Sequence, residues 1–106
     1  MLYIYGTVFN NAQYINKSIK SMAKINTEKK FLITDNFSYD GTFEKLNELK
    51  NEYNIEIKRV KCSRGKGRQI AMEMAYEESK DNNLFMFFDL DTIYPDFFVK
   101  LVEHFI

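Results

Sequence analysis

Leu84-Phe85-Met86-Phe87-Phe88 runs without a break into Asp89-Leu90-Asp91-Thr92. Consecutive apolar residues with no alternation read as a strand buried on both faces, the kind that parallel sheets contain. Open α/β sheets bind their ligands in the crevice at the carboxyl ends of the strands, and Asp89 and Asp91 stand at such an end. Two carboxylates this close repel each other unless a cation or a hydrogen-bonding ligand offsets the charge. Asp-x-Asp is therefore a candidate metal-and-ligand site. The same residues can also do no more than end the strand and cap the next helix.

The rest of the chain supplies the crossovers that a parallel sheet needs. Leu2 to Phe9 is aromatic and β-branched and reads as strand one, with an N-cap at Asn10-Asn11 and a first helix carrying Ile15, Ile19 and Met22. Phe31 to Thr34 is strand two. The polar turn from Asp35 to Gly41 follows, with Asp40 placed to cap a helix whose face is Phe43, Leu46, Leu49 and Tyr53. Ile55 to Val60 alternates with Glu56, Lys58 and Arg59, as suits an edge strand guarded by charge. Cys62 to Arg68 reads as a basic, glycine-containing loop. A third helix then turns Ile70, Ala71, Met74 and Ala75 inward, and strand four is Leu84 to Phe88. Pro95 fits the first turn of a last helix with Phe98, Leu101, Val102 and Phe105 on its face. No linker, repeat or low-complexity segment divides this pattern, so one domain spans residues 1–106. The expected fold is α/β: a three-layer, Rossmann-like parallel sheet of strand order 3-2-1-4 with helices on both faces. Its switch point falls between strands one and four. Asn10, Asp35 to Asp40, Arg64 to Arg68 and Asp89 to Asp91 then gather at one end of the sheet.

Composition excludes several classes. The chain has 106 residues, enough to bury roughly two-thirds of its unfolded surface. Lys plus Arg is 15 and Asp plus Glu is 15, so the net charge is zero and the basic excess of a nucleic-acid binder is absent. Cys62 is the only cysteine, which rules out an intrachain disulfide and a cysteine-based zinc site and makes a reducing, cytoplasmic setting the default. No apolar run reaches the ~20 residues of a membrane span. Met1 to Tyr5 has neither a basic n-region nor a cleavage site, so it reads as a strand and not as a signal peptide.

Four blocks, in order, resemble the GT-A fold glycosyltransferases of family 2, which transfer a sugar from a nucleotide-sugar donor. They are Thr7-Val8-Phe9-Asn10-Asn11, Asp35-Asn36-Phe37-Ser38-Tyr39-Asp40-Gly41-Thr42, Arg64-Gly65-Lys66-Gly67, and Asp89-Leu90-Asp91 followed by Tyr94-Pro95-Asp96-Phe97. The resemblance implies that Thr7, Phe9, Asn10, Asp35, Asn36, Arg64, Lys66, Arg68 and Asp89 bind the nucleotide. Asp35 would accept a hydrogen bond from the uracil N–H of a UDP-sugar, and Arg64, Lys66 and Arg68 would meet the base or diphosphate. Asn36 stands where the family often has a second Asp; it can still hydrogen-bond a base or ribose. Asp91 would bind Mn²⁺ or Mg²⁺ bridging the diphosphate, and Asp89 the ribose or a metal-bound water. The cation would stabilise charge on the leaving diphosphate. The chain ends 15 residues after Asp91, whereas the resemblance calls for a second half with the acceptor site and catalytic base. The expectation is a nucleotide-sugar-binding half. His104, the only histidine, reads as a surface residue of the last helix.

Other classes fit less of the chain. Asp89-Leu90-Asp91 also resembles the first motif of haloacid-dehalogenase-like phosphohydrolases, but Ile93 stands where Thr or Val belongs and no chain remains for the later motifs. A dinucleotide-binding fingerprint fails because Ile70 takes the place of a third glycine. A non-catalytic binding or interaction module of the same fold remains an alternative. In the order 3-2-1-4, strand four lies at an edge with no lysine or proline to guard it, so association with a second copy is also expected.

Overall fold

Every strand takes its place from β1, Leu2–Val8, which is almost entirely buried. The computed structural model describes residues 1–79, 84–90 and 92–105. After β1 come α1 (Ile15–Ala23), β2 (Lys29–Asp35), α2 (Thr42–Tyr53), β3 (Ile55–Arg59), α3 (Arg64–Glu78), β4 (Leu84–Phe87) and α4 (Asp96–Phe105). All pairings are parallel and the order is β3-β2-β1-β4, as the alternating pattern leads one to expect. Register runs from Leu2 opposite Lys29 and Leu84 to Val8 opposite Asp35.

Because side chains alternate across a strand, β1 and β2 serve two cores at once. Leu2, Ile4 and Val8 with Phe31 and Ile33 point to one face, where Ile15, Ile19 and Met22 of α1, Leu46 and Leu49 of α2 and Val99 of α4 cover them. Tyr3 and Leu32 point to the other, against Ala75 of α3. Each fully buried aliphatic side chain contributes about 1.5–3 kcal/mol, so the larger cluster carries most of the stability. Among the described residues no helix is long and apolar enough to cross a membrane.

Several local expectations are corrected. The helix after β1 starts at Ile15 without a side-chain cap. Asn10 and Asn11 instead tie the β1 loop to the β2 loop, through the Asn10 N–H to Ser38 Oγ and the Asn11 N–H to Thr42 Oγ1. Residues Arg64 to Arg68 are not loop but the first turn of α3, because Ser63 caps it by accepting from the Lys66 N–H. Gly41, not Asp40, is the N-cap of α2, in the left-handed region at φ 99°. Asp40 instead accepts from the Thr42 N–H and hydroxyl and from the Ala12 N–H. The inward stripe of α3 is Gly67, Ala71 and Ala75, with Ile70 and Met74 only half-buried. Strand four is not buried on both faces: Leu84 and Phe85 are 48% and 41% exposed, since α3 covers β1 and β2 while β4 is the sheet's edge. In α4 the buried residue is Val99, and Leu101 and Phe105 are exposed. His104 is exposed, as expected.

Two glycines let elements approach. A Cβ on Gly6 would meet the Phe88 carbonyl oxygen at 2.8 Å, so the chain leaving β4 can lie against β1 only because that position is bare. A Cβ on Gly67 would meet Thr7 Oγ1 at 2.4 Å and Cys62 Sγ at 3.0 Å, whereas one on Gly65 would meet nothing within 4 Å. Gly67→Ala should therefore destabilise the fold by about 1–3 kcal/mol. Gly65→Ala should stabilise it by about 0.5 kcal/mol through lower unfolded-state entropy. Urea unfolding of the two variants checks the pair, and equal effects would refute this packing. Asp40 gives a pH test. Burial raises its pKa, but the Thr42 side chain and the Ala12 and Thr42 amides outweigh that and hold it below the usual carboxylate range. A depressed pKa adds stability above the unfolded-state value and loses it as pH falls through the folded one. Asp40→Asn should thus lower stability at neutral pH and flatten the loss below about pH 4, as measured by urea midpoints across pH.

Candidate functional site

Buried strands leave polar side chains to the strand ends, and a cleft of about 190 Å³ opens at the carboxyl ends of β1 and β4. Thr7, Val8, Phe9 and Asn11 line it from β1 and its loop, Asn36 from the end of β2, Arg64 and Arg68 from α3, and Phe87, Asp89 and Leu90 from the end of β4. This is the switch point between β1 and β4. Of the residues expected from sequence, Thr7, Phe9, Asn36, Arg64, Arg68 and Asp89 are brought together there, whereas Asn10, Asp35 and Lys66 do not line the cleft.

Arg64 and Arg68 sit one helical turn apart on the first turns of α3, so both cations reach the same side of the helix. The Arg68 guanidinium lies 4.1 Å from the centroid of the Phe87 ring, which fixes it over the end of β4. Lys66, between them in sequence, is exposed on another side. Asn36 Oδ1 accepts from the Cys62 N–H at 3.0 Å, and the Asn36 N–H donates to the Val8 carbonyl at 3.0 Å. That leaves its amide NH₂ to serve the cleft as a donor. Cys62 lies behind this contact, and burial, with the nearby Asp35 charge, pushes its thiol up.

Asp35 sits at the end of β2 as expected, but it is fully buried. Its carboxylate accepts from the Ser38 N–H and hydroxyl and pairs with Arg59 Nε at 3.2 Å. Arg59 also donates to the Ser38 carbonyl at 2.8 Å and lies 4.3 Å from the Phe43 ring and 5.1 Å from that of Phe37. The sequence pattern marks Arg59 only as an edge guard of strand three. Its grip on Asp35 depends on β2–β3 register, Asp35 opposite Arg59, which local pattern does not reveal. Asn10 takes a left-handed backbone, φ 53°, and accepts from the Tyr39 N–H at 3.0 Å, so it braces the two loops. Asn11, read as a cap, is a cleft residue, and its Oδ1 accepts from the Phe9 N–H at 2.9 Å.

Asp89 is exposed, with its backbone held from both sides: its N–H donates to Tyr94 Oη at 2.8 Å and its carbonyl accepts from Ser18 Oγ at 3.3 Å. Asp91, the expected metal ligand, lies outside the described residues. Among the described residues no three His, Cys, Asp or Glu side chains come together as a metal-holding group.

The arrangement matches known glycosyltransferase structures in fold. Residues 1–349 of S. aureus TarS in complex with UDP-GlcNAc superpose with a TM-score of 0.73 and 19% identity, over 98% of this chain and 30% of that one. The same protein in complex with UDP gives 0.70 and 20%, over 85% and 27%. A further structure of S. aureus TarS residues 1–349 gives 0.74 and 19%, over 98% and 31%. The chain thus spans about a third or less of these proteins, and at such identity the likeness is one of fold, the GT-A Rossmann-like sheet. No curated protein matches the chain. With its sheet order, its cleft at the switch point and a sequence match over residues 4–106, the chain belongs to glycosyl transferase family 2.

Proposed function

We propose that this chain binds the nucleoside diphosphate of a nucleotide-sugar donor, UDP-sugar foremost, and serves a glycosyltransferase as its donor-binding half. The observation that carries this reading is the convergence of Arg64, Arg68, Asn36 and Asp89 on one cleft at the carboxyl ends of the sheet. Two arginines at a helix N-terminus suit a diphosphate, since backbone N–H groups and guanidinium donors act on the same anion. Asn36 offers a donor to a base carbonyl, and Phe9, 49% exposed, offers a ring face for stacking. The TarS structures with UDP and UDP-GlcNAc support the same ligand class. Asp35, enclosed by Arg59 and Ser38, serves the nucleoside by holding the turn that carries Asn36.

The exposed Asp89 carboxylate, with Asp91 two residues on, is an oxygen donor set of the kind Mg²⁺ or Mn²⁺ takes. Bound there, the cation would offset charge on the departing diphosphate. Sugar transfer requires an acceptor site and a base, and the 106 residues alone are expected to bind donor without transferring its sugar to an acceptor.

Calorimetric titration of UDP, GDP and ADP with and without Mn²⁺ tests the reading. UDP should bind more tightly with Mn²⁺. Arg68→Ala should weaken UDP about tenfold with or without the metal, the loss of one charge-assisted contact of about 1.5 kcal/mol. Asp89→Asn should remove much of the metal-dependent part alone. Absence of binding by every nucleoside diphosphate in Mn²⁺ would overturn the proposal.

We also infer self-association through β4. Leu84 and Phe88 give their N–H groups to β1, at the Met1 and Tyr5 carbonyls. By alternation the backbone groups of Phe85 and Phe87 then face outward, and among the described residues no strand pairs with that edge. Leu84 and Phe85 on the strand and Phe97, Leu101 and Phe105 on α4 are exposed and apolar, and zero net charge sets no repulsion between two copies. Phe85→Lys should convert a dimer at micromolar concentration into monomer. Sedimentation showing a wild-type monomer, with a slowly exchanging Phe87 amide, would mean that the edge is covered within one chain.

A further inference from the structure

Ser18 and Ser21 are buried on the core-facing side of α1, among Ile15, Ile19 and Met22. Alanine would fill a helix position at such a core better, both in propensity and because burying a hydroxyl is unfavourable unless it is bonded. Both hydroxyls are bonded, and both reach the segment after β4. Ser18 Oγ donates to the Asp89 carbonyl at 3.3 Å. Ser21 Oγ donates to the Ser18 carbonyl at 2.8 Å and accepts from the Tyr94 N–H at 3.0 Å. Tyr94 Oη then accepts from the Asp89 N–H at 2.8 Å. Asp89 and Tyr94 are thus bonded to each other, and each is bonded to α1. The Tyr94 ring packs 4.8 Å from Phe98, which anchors it to α4.

From this we infer that Ser18, Ser21 and Tyr94 are positioning residues that set the Asp89 carboxylate for a divalent cation bound with a nucleoside diphosphate. The inference rests on the nucleotide reading above and deepens it, since none of the three residues lines the cleft. The Asp89 carboxylate itself is exposed, so its place is set by its backbone; the Ser18 and Tyr94 hydroxyls bond that backbone, beside the Thr92 N–H on the same carbonyl at 3.4 Å and the buried Phe88 and Leu90 on either side. Outer groups that orient metal-binding residues typically contribute 10–100-fold to metal affinity.

The test measures UDP affinity of the purified chain by calorimetry, with and without Mn²⁺. It compares wild type with Tyr94→Phe, Ser21→Ala and Ser21→Thr. Tyr94→Phe keeps the ring contact with Phe98 and removes only the hydroxyl. Tyr94→Phe and Ser21→Ala should each cut the gain in UDP affinity brought by Mn²⁺ about tenfold or more, on the scale of such outer groups. Metal-free UDP affinity should stay unchanged. Ser21→Thr keeps the hydroxyl and should restore the gain. In Tyr94→Phe the Asp89 amide should also lose protection from hydrogen exchange. Variants that melt at lower temperature yet keep the full Mn²⁺ gain would show a merely structural role and overturn this inference alone. A wild-type chain that binds UDP equally well with and without Mn²⁺ would overturn this inference and leave the nucleotide reading standing, whereas a chain that binds no nucleoside diphosphate at all would overturn both.

Discussion

A strand buried on both faces has room for polar chemistry only at its ends, and β1 imposes that rule on the whole molecule. Leu2, Ile4 and Val8 enter one core and Tyr3 the other, so helices must cover both sides. Parallel pairing with β2 and β4 then brings their carboxyl ends level, and Asp35 comes opposite Val8. The polar residues that follow each strand meet at that end because nowhere else admits them. Gly6 and Gly67 serve the same strand, one admitting the exit of β4 and the other the first turn of α3. The cleft follows from how β1 is packed.

The loops around the cleft are held by a chain of polar contacts that begins and ends on the sheet. Asn10 bonds Ser38 and Tyr39, Asn11 bonds Thr42, Asp40 bonds Ala12 and Thr42, and Ser38 returns to Asp35. Arg59 closes the network from β3. Asn10 of this network, at φ 53°, and Phe37, next to Ser38 in sequence, at φ 50°, hold left-handed backbones that cost on the order of 1 kcal/mol each. Such strain persists only where surrounding contacts over-determine it. A ligand binding at this end meets loops already ordered, which lowers the entropy it must lose.

The two sides of the sheet differ. Around β2 and β1 the packing is continuous, and Phe31, Ile33 and Leu46 are wholly buried. Around β4 and α4 it thins: Val99 is buried while Phe97 and Phe105 are more than 70% exposed. Tyr3 stacks on Phe85 and Tyr5 meets Phe87 edge-on, so aromatic pairs replace helix cover on the α3 side. Asp89 stands on this side of the sheet between the buried Phe88 and Leu90, and hydroxyls of α1 bond the backbone at Asp89 and Tyr94.

By itself the sequence determined the strands, their order and the family. Uninterrupted apolar runs such as Leu84 to Phe88 and charged alternation at Ile55 to Val60 are local signals that depend only on side-chain period. The four polar blocks also keep their meaning in isolation, because each loop is short and follows its strand directly. Tertiary structure alone decided what those residues touch. Asp35 is turned inward because Arg59, distant in sequence, lies opposite it on the next strand. Arg64 and Arg68 share one side because Ser63 starts a helix where glycines suggested a loop. Ser18 and Ser21 look like faults in an apolar helix face until the chain after β4 arrives to bond them. The difference is physical: period and propensity act between neighbours, whereas the pairing of buried polar groups is settled by which distant segments the packing brings within hydrogen-bond reach.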